Sequence, residues 1–131
     1  MAETDPPRVL LVEDEPLIRM LTVDMLDAIG IAAVEVGTGA EALAIDDATL
    51  AGLAGLLIDL GLPDQSGEEV ARRLRQRRPD LPVILTTGAD ASAALARLGG
   101  DGDVIALEKP YQFNDLSKAV EILAPTARGV A

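Results

Sequence analysis

Five short apolar runs, each followed by a stretch of helical pattern, constrain the fold of this chain more than any other feature. Val9–Val12 is apolar throughout and β-branched at both ends. It reads as a strand buried on both faces, as in a parallel sheet. "IAAVEV" is a second, weaker strand, "LAGLLIDLGLP" holds a third centred on Leu56–Ile58, "LPVILTTG" is the fourth and "DVIALEKP" the fifth. Between them the helical signals are equally regular. Glu15 precedes Pro16 and is biased away from helix, while Pro16 suits a first helical position. "PLIRMLTVDMLDAIG" then carries Leu17, Leu21 and Met25 at helical spacing, with Gly30 as a stop. "GTGAEALAIDDATLAG" has a helical middle between glycines. "SGEEVARRLRQRR" opens with Ser66 and Glu69 at capping-box spacing and offers Val70 and Leu74 to a core. "ADASAALARLGG" is a short Ala-rich helix, and "YQFNDLSKAVEIL" closes the series as an amphipathic one.

Strands alternating with helices predict a parallel sheet covered on both faces, here by five helices. A chain of 131 residues is too short for an eight-stranded barrel of about 250. What remains is an open, flavodoxin-like α/β sheet of strand order 2-1-3-4-5. One domain is expected over residues 8–124, with a flexible N-terminus (1–7) and a frayed tail (125–131).

In such sheets the ligand site lies beyond the carboxyl ends of the strands, where the strand order reverses. Those ends carry Glu13-Asp14, Asp59, Thr86-Thr87-Gly88 and Lys109-Pro110. The fold would therefore bring three carboxylates, a hydroxyl and an amine into one crevice. The chain has no Cys and no His, which removes thiolate and imidazole chemistry and leaves carboxylates, hydroxyls, Lys, Arg and backbone. Two unit charges 4 Å apart repel by about 4 kcal/mol at an effective dielectric of ~20, so clustered acids need compensation. A hard divalent cation such as Mg²⁺ or Mn²⁺ supplies it. Lys109 and the Thr87 hydroxyl could then meet other oxygens of a phosphoryl group, with an Asp carboxylate as covalent acceptor. The strand ends lack the glycine loops of nucleotide sites. A net charge of -11 argues against nucleic acid or an anionic membrane as partner. Neither a membrane span nor a signal-peptide core is present, so a soluble, cytoplasmic protein is expected.

The motifs "VLLVEDEP", "LLIDLGLPDQSG", "VILTTG" and "LEKPY", in that order and spacing, resemble the receiver domain of two-component response regulators over about residues 8–124. The resemblance implies that Asp59 is the phosphoacceptor and that Glu13 and Asp14 hold Mg²⁺, with Asp14 the direct ligand. It further implies that the Gly61 carbonyl completes the metal site, that Thr87 moves towards the phosphoryl group and that Lys109 pairs with it. A cis Lys109-Pro110 bond is implied as well, as are phosphohistidine donors on histidine kinases or phosphotransfer proteins. The family's usual strand-five aromatic, three residues before the Lys, is here Ala106, and the only Tyr is Tyr111. A switch route through Thr87, the Gly88–Ala96 segment and the Tyr111 face is expected in its place.

Since only seven residues follow position 124, output is expected by protein–protein contact. Three other readings stand beside this one: a phosphate-independent receiver that binds partners constitutively, a receiver fragment of a hybrid histidine kinase, and a small hydrolase using Asp59 as transient nucleophile. Receivers often pair through the face of helix four, strand five and helix five, so a homodimer is open. Ser66 and Glu69 read as a helix cap and Glu15 as an acid at a helix start. Arg72, Arg73, Arg75, Arg77 and Arg78 read as a solvated basic face, with docking of an acidic partner as the alternative.

Overall fold

A computed structural model of the chain describes residues 5–88, 90–98 and 104–123. The whole of the tail expected to fray (125–131), with residue 124 and the first four residues, lies outside these ranges. Five parallel strands, β1 (Arg8–Val12), β2 (Ala32–Val36), β3 (Gly55–Asp59), β4 (Val83–Thr87) and β5 (Val104–Glu108), form one sheet of order β2-β1-β3-β4-β5. The helices are α1 (Pro16–Ile29), α2 (Gly39–Leu43), α3 (Asp47–Ala51), α4 (Gly67–Arg77), α5 (Ala91–Leu98) and α6 (Phe113–Leu123).

Strand burial follows position in the sheet. β3 and β4 are buried at every residue and β1 at all but Arg8, whereas β2 and β5 at the edges are mostly half-buried. Alternate side chains divide the core in two. Leu10, Val12, Leu56, Ile58, Val83 and Leu85 pack under α2–α5, through residues such as Leu50, Val70, Leu74 and Ala94. On the opposite face Val9, Leu11, Leu57 and Ile84 pack under α1 and α6, through Leu26, Ile29, Leu116 and Val120. The largest fully buried side chains are all Leu, Ile or Val, as the near-absence of aromatics requires.

Two local departures from the expected pattern are informative. The single helix expected over 37–52 is two five-residue helices, so the sheet carries six helices instead of five. Its middle breaks because Asp46 turns its carboxylate onto the Thr49 amide (2.7 Å) and starts a new helix. Helices this short are marginal alone, and arginines from the end of α4 hold both. Arg77 donates to the Leu43 and Ile45 carbonyls and to Asp47, while Arg78 donates to the Leu50 and Leu53 carbonyls at 2.9 and 2.6 Å. Two of the five arginines read as a solvated face are thus turned onto neighbouring backbone. Arg72 and Arg73 do form a surface pairing, with Glu69. The second departure is the orientation of α1, whose buried residues are Thr22, Leu26 and Ile29. Leu17 and Leu21 are 63% and 47% exposed.

Elsewhere the local chemistry is as expected. Gly30 ends α1 at φ 92°, where a side chain would be strained. Ser66 caps α4 by accepting from the Glu68 and Glu69 amides. No helix among the described residues is long and apolar enough to cross a membrane.

Candidate functional site

The register of the sheet sets the strand ends side by side. Val12 pairs with Ile58, Asp59 with Thr86 and Thr87 with Glu108, so the residues just beyond β1, β3 and β5 emerge together. Glu13, Asp14 and Asp59 each place a carboxylate oxygen within 4.8 Å of the others. Lys109 lies between two of them: its Nζ is 3.1 Å from Glu13 Oε1 and 3.0 Å from Asp59 Oδ2. Side-chain exposure is 3% for Glu13, 8% for Asp59 and 15% for Lys109.

Charge accounting decides what this cluster is for. Three carboxylates face one ammonium, with Glu13 and Asp59 buried and Asp14 open to solvent at the mouth, so the cluster carries two uncompensated negative charges beside a desolvated floor, a costly arrangement for a purely structural group. Burial pushes the Glu13 carboxyl above its ordinary range, against the pull of the Glu15 amide and Lys109, and the Asp59 charge adds to the rise. Burial pulls the Lys109 ammonium the other way, but its hydrogen bonds to Asp59 and Glu13 outweigh that and hold it above its usual value. The donor set is all oxygen, which suits a hard divalent cation. A dication would neutralise the excess.

Of the remaining expected residues, Gly61 lies beside the cluster, with its amide donating to Asp59 Oδ1 at 3.1 Å. Thr87 is buried at the end of β4, and its carbonyl accepts from the Lys109 amide at 2.7 Å. The Lys109-Pro110 bond is cis. Of the expected switch residues, Thr87 and Ala106 lie on the neighbouring strands β4 and β5. Ala106 packs with the core under α5, while Tyr111 lies across the sheet, against the cluster beneath α1 and α6.

Four supporting residues escape a motif-based reading. Arg19 donates to the Glu13 carbonyl at 2.9 Å and ties down the acidic turn, whose Glu15 amide donates to the Glu13 carboxylate. Asp64, in the loop after Asp59, accepts from the Gly39 and Ala40 amides, both at 2.9 Å, and so fastens that loop to α2. Glu108 accepts from the Ala91 amide at the start of α5. Thr22 shares a hydrogen bond of 2.6 Å with the Tyr111 hydroxyl. The only sequence signal for Thr22 was a polar residue among apolar ones in α1.

An aspartate-bearing crevice at the switch point of a five-stranded 2-1-3-4-5 sheet, with a lysine from the last strand end, defines a class of signalling domain. The chain belongs to the response regulator receiver domain family, whose profile matches residues 9–121. It is 32% identical to the response regulator receiver protein CpdR of Brucella abortus over 117 residues, covering 87% of this chain and 93% of CpdR. Against the sensor kinase CckA of the same organism it is 33% identical over 114 residues, 86% of this chain but only 12% of CckA. Among solved structures, a response regulator receiver protein from Sinorhizobium medicae superposes with a TM-score of 0.78 at 27% identity, covering 94% of this chain and 98% of that one.

Proposed function

We propose that this receiver domain, bounded at residues 8–124, accepts a phosphoryl group on Asp59 from a histidine kinase or phosphotransfer protein and signals in the cytoplasm by protein–protein contact. The observation that carries this reading is the Lys109 ammonium set between Glu13 and Asp59. It leaves an aspartate oxygen beside a fixed positive charge, in a crevice that is still short of cations.

Mg²⁺ held by Glu13, Asp14, Asp59 and the Gly61 carbonyl would supply positive charge to the phosphoryl oxygens. The chain's own groups do the rest. An Asp59 carboxylate oxygen attacks phosphorus in line as the phosphorus–nitrogen bond of the donor imidazole breaks, and the imidazole leaves with that electron pair. Lys109 gives up part of its contact with Asp59 to meet a phosphoryl oxygen, and the Thr87 hydroxyl donates to another. The barrier is lowered by position and charge rather than by acid–base chemistry. The phosphoryl group brings about -1.5 to -2 charge where the carboxylate carried -1, a net gain of up to about one negative charge, which biases the β4 and β5 ends and the helices packed on them.

Incubation with acetyl phosphate and Mg²⁺ followed by intact mass spectrometry tests the reading. One added phosphoryl unit is expected, lost in Asp59→Ala and on chelation of the metal. A chain that takes up no phosphoryl group from any donor or metal is a constitutive interaction module instead.

A further inference from the structure

Of the three buried residues of α1, Thr22 alone is polar. A buried hydroxyl needs a partner, and the 2.6 Å bond to Tyr111 supplies one from 89 positions away. Tyr111 follows Lys109 with one residue between them and precedes α6. The Lys109 backbone is fixed on its other side by the bond from its amide to the Thr87 carbonyl. The Tyr111 ring packs on one side against the cluster beneath α1 and α6, and on the other borders an open cleft of about 250 Å³ whose lining includes Leu21, Thr22, Met25, Lys109 and Pro110. Packing therefore confines the ring on one side only, and the hydroxyl bond to Thr22 fixes its tip.

We propose that Tyr111, through its hydroxyl on Thr22, is a positioning residue for Lys109: the bond anchors the turn after β5 to α1 and so aims the ammonium between Glu13 and Asp59. The effect on phosphoryl transfer rests on the phosphoacceptor reading above; the effect on Lys109 does not. Tyr111 therefore acts on the face opposite Ala106, stabilising the site from the α1 side rather than replacing the missing strand-five ring.

Two readouts separate these statements. The first is the Lys109 ammonium resonance in ¹H–¹⁵N NMR of the metal-free protein, visible when two carboxylates slow its exchange. Tyr111→Phe and Thr22→Val, which keep ring and volume, are expected to shift or broaden it, and Thr22→Ser to preserve it. The second is the rate of phosphorylation by acetyl phosphate with Mg²⁺. Each of the two variants is expected to be about three- to tenfold slower, the worth of one hydrogen bond, with no further loss in the double variant. Thr22→Ser should be close to wild type, and unfolding temperatures should change little. An unchanged Lys109 resonance in both Tyr111→Phe and Thr22→Val overturns the proposal. If the resonance follows the hydroxyl but the wild type takes up no phosphoryl group, positioning stands and the phosphoacceptor reading falls.

Discussion

Gly67, the first residue of α4, offers the sharpest test of how the site is built. A Cβ placed there would lie 2.8 Å from the Leu60 Cα and 3.0 Å from the Asp59 carbonyl carbon, and in hard contact with the Asp59 carbonyl oxygen. All three are backbone atoms, so no side chain can swing away. Ordinary contact begins at 3.4 Å and the carbonyl oxygen is the nearest of the three atoms, so α4 and the end of β3 must separate by about an ångström. Overpacking of this kind costs about 1–3 kcal/mol, while Ala in place of Gly in a helix returns about 0.5–1. Overpacking wins. Gly67→Ala should lose about 1–2 kcal/mol, lowering Tm by about 3–8 °C in a domain of this size. The displaced group is the proposed phosphoacceptor, so phosphorylation by acetyl phosphate should slow by about tenfold. Gly52→Ala is the control: the nearest atoms to its Cβ are 3.7 Å away, and it should be neutral or slightly stabilising. Calorimetry and a time course by intact mass measure both effects. A Gly67→Ala protein with wild-type Tm and rate would refute the claim that backbone contact sets the place of Asp59.

Three other outcomes are expected. Divalent metal should raise the unfolding temperature of the wild type, since it binds only the folded crevice, and Asp14→Asn should abolish that rise in a Mg²⁺ titration followed by calorimetry. Arg78→Met removes the guanidinium donor from the Leu53 carbonyl and leaves the Leu50 carbonyl only the Leu53 amide, and should cost about 1–3 kcal/mol in urea unfolding, whereas exposed Arg72→Ala should stay within about 0.5. Asp64 is held below its ordinary carboxyl range by the Gly39 and Ala40 amides. A lowered folded pKa stabilises above the unfolded value and loses that stability as pH falls through the folded one. Asp64→Asn should therefore be less stable than wild type at pH near 7, and the gap in urea midpoint should close below about pH 3.8.

The strands and the site were legible for the same reason. Apolar runs such as Leu56–Ile58 have few places to go except the middle of a parallel sheet, and strands in register deliver Asp59 and Lys109 to one edge wherever the helices lie. The split into α2 and α3 was not legible because it depends on groups distant in the chain. "GAEALAIDDATLA" is rich in helix formers, and what holds its two pieces comes in part from Asp64, Arg77 and Arg78. The face of α1 misled for a different reason. Leu17, Leu21 and Met25 form an obvious stripe, but the buried one contains Thr22, whose burial makes sense only once Tyr111 is known to reach it. Periodicity sees hydrophobicity and misses a hydroxyl satisfied from across the fold.

The place of Tyr111 has an optical consequence. The chain has one Tyr and no Trp, so its tyrosine emission comes from a single address, two residues from Lys109. That phenol shares its proton bond with Thr22 and lies in the electrostatic reach of Glu13, Asp59 and Lys109. Its quantum yield is expected to register the proposed cation binding, phosphoryl transfer to Asp59 or any loosening of α1 without a label being attached. The scarcity of aromatic rings that left the core to aliphatic packing has also left the protein spectroscopically quiet everywhere except beside its reacting groups.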